Sequence, residues 1–177
     1  RELAAAGYDG LTLGIETGDD DALAFMDKGY EAKEIVEQCA RLDAAGISYA
    51  FFYLAGISGK GRGIEGARRT AAVVNQTNPW LVGVNMLTTY PSSELYEEIV
   101  AGSWQEEMEV EKYEEVKELV ANLTIETEFA MLGASNPVML RGRLPERKEQ
   151  ITSALDSIIN DIGEERLRSY RSNLRHL

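Results

Sequence analysis

Runs of apolar and β-branched residues alternate along this chain with longer segments of helical period, the pattern of strand–helix–strand units in a parallel sheet. Leu11-Thr12-Leu13-Gly14-Ile15 predicts the first strand. Glu31 to Ala45 follows with Ile35, Val36, Cys39, Ala40 and Leu42 at helical spacing on one face, and Gly46 supplies the stop. Ile47 to Leu54 carries no charge and predicts a second strand buried on both faces. A glycine-rich loop, Gly56 to Gly63, leads into a helix with Ala67, Ala71, Val73 and Val74, which ends by Pro79. Trp80 to Thr88 predicts a third strand. Pro91, Ser92 and Ser93 then open a short helix through Ile99. Three strands with two crossover helices make a right-handed unit.

Past Gly102 the pattern changes. A long acidic helix is expected from Glu109 to Leu123, with Val116, Leu119 and Val120 on its apolar side, and the charged stretch Glu106 to Glu118 reads as a solvated face. A loop follows at Gly133 to Pro137. Pro145 then opens one or two helices interrupted near Gly163. The expected architecture is α/β, with about three parallel strands and flanking helices in residues 1–102 and a helical extension in 103–177. No internal repeat or low-complexity segment stands out.

The 177 residues suffice for one core, and 44% hydrophobic with 27% charged residues is ordinary for a globular domain. No apolar run is long enough to span a bilayer and no signal peptide opens the chain, so a cytoplasmic setting is expected. The opening Arg1 to Gly7 reads as the last turns of a helix with a glycine cap, as if the chain began mid-protein. A net charge of −12 disfavours nucleic acid as a partner. A single cysteine, Cys39, excludes a disulfide or a several-thiolate cluster within the chain, and lies on an apolar helix face as a small core residue. A single histidine, His176, excludes a multi-histidine metal site. Trp80 and Trp104 read as packing residues.

In parallel α/β folds the ligand sits at the C-terminal ends of the strands. The first such end here is Gly14-Ile15-Glu16-Thr17-Gly18-Asp19, a carboxylate, a hydroxyl and a glycine before residues suited to cap a helix. On local grounds this is a strand-to-helix turn. Continued through Leu23, Met26, Lys28-Gly29 and Tyr30, however, the string resembles the fourth-strand segment of radical S-adenosylmethionine (SAM) enzymes, G-(V/I)-(E/Q)-(S/T)-G followed by L-x-x-M-x-(R/K)-G-(H/Y). Related segments occur in methylthiotransferases, the Elongator catalytic subunit and oxygen-independent coproporphyrinogen oxidases. Leu54-Ala55-Gly56-Ile57-Ser58-Gly59 is similar to the fifth strand and its Gly-x-x-Gly loop in that family. Met86 to Tyr96 resembles the sixth-strand exit, with Ser92-Ser93 in place of the usual Gly-Thr.

The resemblance implies strands four to six of a TIM-like radical SAM barrel, and it assigns residues by position. Glu16 matches the polar residue facing the nucleoside, and Thr17 is placed to bond either SAM or the helix start. Lys28 matches the base that pairs with the SAM carboxylate, against the alternative of a solvated surface lysine. Gly56 and Gly59 match the loop passing the adenine, or else serve a tight turn of positive φ. Asn85 and Tyr90 are candidates for a substrate cavity. Lys60 and Arg62 among glycines lack the Walker spacing that a phosphate loop needs.

The family's chemistry uses a [4Fe–4S] cluster on three cysteines to cleave SAM to a 5′-deoxyadenosyl radical. No C-x-x-x-C-x-x-C run is present, so any such segment belongs upstream of Arg1 in a longer parent. This chain alone is expected to be inactive and to hold neither SAM nor cluster. The substrate is unknown. The competing expectation is a non-catalytic half-barrel binding or assembly module that pairs with another copy through an exposed sheet edge.

Overall fold

The computed structural model describes residues 2–174. Arg1 and His176, both invoked above, lie outside them. In chain order the elements are α1 (Glu2–Ala5), β1 (Gly10–Glu16), α2 (Asp20–Phe25), α3 (Ala32–Asp43), β2 (Ser48–Ala55), α4 (Gly63–Val74) and β3 (Leu81–Met86). There follow α5 (Glu94–Ala101), α6 (Glu109–Asn122), β4 (Thr127–Met131), β5 (Leu140–Leu144), α7 (Lys148–Ser157), a π-helical turn (Ile158–Ile162) and α8 (Glu164–Ser172).

The five strands form one sheet in the order β1-β2-β3-β4-β5. The first four run parallel and β5 returns antiparallel to β4. The α/β fold is as expected and is consistent with part of a TIM-like barrel. Two strands exceed expectation, because residues 103–177, read as helical, contribute β4 and β5 to the same sheet.

Sequential parallel order with right-handed crossovers puts the connecting helices on one face. Tyr49, Phe51 and Tyr53 of β2, Val82, Val84 and Met86 of β3, and Phe129 and Met131 of β4 point to that face. They meet Ile35 and Cys39 of α3, Ala67 and Ala71 of α4, Val116, Leu119 and Val120 of α6, and Ile151 and Leu155 of α7. Cys39 is buried there, as expected of a small core residue.

Alternation sends Thr12, Gly14, Ala50, Phe52, Leu54, Gly83, Asn85 and Glu128 to the other face. This face is low in the middle. Gly14, Phe52, Gly83 and Ala130 sit side by side across four strands, and Phe52 lies over Gly83, where a Cβ would come within 2.8 Å of the ring. Phe52, Leu54 and Asn85 remain only half-buried.

Two expectations fail on burial. Trp80 is 56% exposed at the entrance to β3, whereas Trp104 is buried as predicted. The acidic stretch 106–118 is not a solvated face, because Glu107, Glu109, Lys112 and Glu115 are all buried. Their mutual compensation, described below, is what permits it.

Candidate functional site

At the end of β1 the chain leaves the ladder through a register shift between Gly14 and Glu16, and Glu16 takes φ 60°, a value non-glycine residues seldom adopt. The kink returns the Glu16 side chain over Gly14, so that a Cβ on Gly14 would lie 3.2 Å from Glu16 Oε1. Its carboxylate therefore stands on the half-open face. Lys28 Nζ donates to the same oxygen at 3.4 Å, with both side chains about a quarter to a third exposed. The Tyr30 hydroxyl donates to the carbonyls of Gly14 and Ile15, each at 3.2 Å, and holds the kink from behind. Burial, then the Glu16 charge, raises the Tyr30 pKa, which keeps the phenol a donor.

Thr17 turns the other way and is fully buried. Its hydroxyl lies 3.1 Å from Thr70 Oγ1 and accepts the Asp19 amide at 3.1 Å, while Gly18 donates to Thr70 Oγ1 at 2.8 Å. These bonds tie Thr17 to the start of α2 and to α4. Asp19 extends the tie, accepting from Ser58 at 3.2 Å and pairing with Arg69 at 2.7 Å. The β1 exit is thus fixed to α4 and to the loop after β2.

That loop is set by glycines facing α6. Gly56 has φ 92° and Gly59 φ 80°. A Cβ on Gly56 would meet the Lys112 stem at 3.0 Å, and one on Gly59 would meet Trp104 Nε1 at 2.7 Å. Both glycines serve the turn and its packing against the segment leading into α6.

Behind them lies a polar core the sequence did not announce. Glu115 Oε2 accepts the Gly56 amide at 2.8 Å, and Glu115 Oε1 accepts the Tyr53 hydroxyl. The carboxyls of Glu115 and Glu107 converge on Gly63, where any Cβ would strike both. Burial, followed by the neighbouring Glu115, pushes Glu107 up to about 10, and burial raises Glu115 too. Burial beside a second carboxyl thus favours the neutral form of Glu107. Lys112, with no exposed surface, bonds Glu106 at 2.7 Å and Glu109 at 3.2 Å, which satisfies its charge. The signal available was the acid–base–acid spacing Glu109, Lys112, Glu115, every third residue of one helix.

The exits of β3 and β4 are joined likewise. Asn136 donates to Val84 O at 2.7 Å and Ser135 Oγ accepts the Met86 amide at 3.1 Å, seating the loop after β4 on β3. Asn85 lies on the open face against Gly133. Tyr90 is 49% exposed, beyond the strand end. Ser93 caps α5 by accepting the Tyr96 amide, so the serine pair standing for Gly-Thr still starts a helix. The structure thus brings Glu16 and Lys28 together, sets Asn85 two strands away on the same face, and turns Thr17, Gly56 and Gly59 toward the helical layer.

An iron–sulfur cluster does not fit this chain: its one thiol is buried in α3, and no group of three candidate metal ligands occurs among the described residues. None of the helices described is long and apolar enough to cross a membrane.

No protein-family model matches the chain, and no curated protein matches it. Among solved structures it is similar to the Elp3 protein of the archaeon Methanocaldococcus infernus with its N-terminus deleted (residues 1-46), at TM-score 0.55 and 17% identity. The likeness covers 70% of this chain and 28% of that one. At this identity the likeness is one of fold alone.

Proposed function

We propose that this chain supplies the later strands of a radical-SAM-type barrel and, with them, one wall of an S-adenosylmethionine pocket in a longer protein. The observation that carries the reading is the Glu16–Lys28 pair on the half-open face at the end of β1, within the segment whose motif spacing resembles that family. Lys28 offers an ammonium to a carboxylate once Glu16 releases it, and Glu16 offers an acceptor to a ribose hydroxyl. Thr17, Gly56 and Gly59 hold the surrounding loops rather than touch the ligand. When bound at a reduced cluster, SAM supplies a hydrogen-abstracting radical; the cluster thiolates come from outside these residues. The reading frame upstream of Arg1 tests this, and three cysteines spaced C-x-x-x-C-x-x-C are expected. Calorimetric titration of the chain alone with SAM is expected to show no saturable heat at micromolar concentrations, since the cluster is the ligand's main anchor.

A second reading, a non-catalytic half-barrel that assembles with another copy, is favoured by the edge of β1, which among the described residues has β2 as its one strand neighbour. A concentration-dependent dimer in sedimentation, together with an upstream frame free of the cysteine run, is its expected signature.

A further inference from the structure

The helix α8 is attached differently from every other long element. It begins at Gly163, whose φ of 77° and ψ of 167° fall in a region open to glycine alone, directly after the π-helical turn. Of its nine residues two are buried, Leu167 and Arg171. Leu167 is a single apolar peg. At the hinge end Glu164 Oε2 accepts the Val110 amide at 3.0 Å. Farther along, Arg171 makes the remaining hold, and its guanidinium spans three elements: Nη2 donates to Leu87 O and, at 3.0 Å, to Thr88 Oγ1, Nη1 donates to Ser135 O at 3.4 Å, and Nε meets Glu109 Oε1 at 3.3 Å. A cleft of about 480 Å³ lies alongside, lined by Thr88, Glu106, Glu109, Arg168 and Arg171.

We infer that α8 is a hinged strap closed over the exits of β3 and β4, with Arg171 as its latch. The groups left behind when the latch lifts are already provided for. Glu109 keeps the Lys112 ammonium at 3.2 Å, so no carboxylate is stranded without a counter-charge. The carbonyls of Leu87 and Ser135 and the Thr88 hydroxyl pass to water from the adjoining cleft. Opening thus costs one apolar contact and a set of charge-assisted bonds that water partly replaces, which places it below global unfolding. The strap gates the strand ends at which parallel α/β folds bind ligands, whichever reading of the whole protein holds.

Native-state amide hydrogen exchange on the full chain tests this. Amides 167–172 are expected to exchange at least about a hundredfold faster than those of α6, through an opening that leaves α4 and α6 protected. Arg171→Ala is expected to speed α8 and residues 86–88 by a further tenfold or more and to leave α6 unchanged. Gly163→Ala, which strains the hinge rather than the latch, is expected to speed the same amides. Equal protection of α8 and α6 in the native chain overturns the proposal. So does a uniform rise across α4, α6 and α8 in both variants, since α8 is then part of the cooperative core.

Discussion

The amide of Gly56 donates to Glu115 Oε2 over 2.8 Å, joining the last turn of the β2 exit to the middle of a helix 59 residues later. The other oxygen of that carboxylate takes the Tyr53 hydroxyl. One buried side chain therefore fixes both the end of β2 and the loop that follows, and burial raises the pKa of the neighbouring Glu107, which favours its neutral form.

That raised pKa makes stability depend on pH. The folded-state pKa of Glu107 is raised to about 10 from an unfolded value of 4.5, so folded chains hold a proton that unfolded chains have lost. The stabilisation from this group is complete below about 4.5 and declines as pH rises toward 10. Glu107→Gln keeps the neutral donor and cannot ionise. Melting temperatures between pH 5 and 9 are expected to fall less in the variant than in the parent; parallel curves count against a neutral Glu107.

Gly59→Ala combines a left-handed backbone with a collision against Trp104. Gly61→Ala, at φ 74° but with open space around it, carries the backbone strain alone. Strain of this kind costs about 1–3 kcal/mol. The urea midpoint is expected to drop further for Gly59→Ala than for Gly61→Ala, and the gap measures the Trp104 contact.

On the half-open face, Gly83→Ala is expected to destabilise because its methyl enters the space of the Phe52 ring. Phe52→Ala removes the obstacle. In a double-mutant cycle the two changes are expected to couple by about 1–3 kcal/mol, and an additive result shows that Phe52 does not lie on Gly83 in solution.

Cys39 is buried, and desolvation pushes its thiol up to about 11. A maleimide at neutral pH is expected to label native protein slowly and urea-unfolded protein at once. Fast labelling of the native state, monitored by mass, is inconsistent with the packing of α3 on the sheet.

Legibility from the sequence followed uninterrupted uncharged runs more than burial. Residues 10–15, 48–55 and 81–86 carry no charge and read as strands, although β1 is an edge strand with Ile15 as its one buried residue. β4 and β5 escaped notice because they are short, although β4 is mostly buried between its neighbours. Thr127-Glu128-Phe129-Ala130-Met131 and Leu140-Arg141-Gly142-Arg143-Leu144 carry charges that interrupt any apolar run. Glu16 and Lys28 each stood out by position in a motif, but their pairing with one another was not legible. Nor was the inward turn of Thr17, since which way a hydroxyl faces after a kinked strand depends on φ at the residue before it. Glu107, Lys112 and Glu115 were hidden by their own charge: a dense acidic stretch suggests water, and only the fold reveals a lysine and a neutral carboxyl set among the carboxylates.

The reversal of β5 gives the sheet a direction. Arg141 and Arg143 on that strand pair with Glu128 and Glu126, and a charged border of this kind discourages another strand from joining. Across the sheet, residues 10–15 of β1 carry no charge at all. Among the described residues the sheet is thus bordered by paired charges on one side and by an uncharged strand on the other.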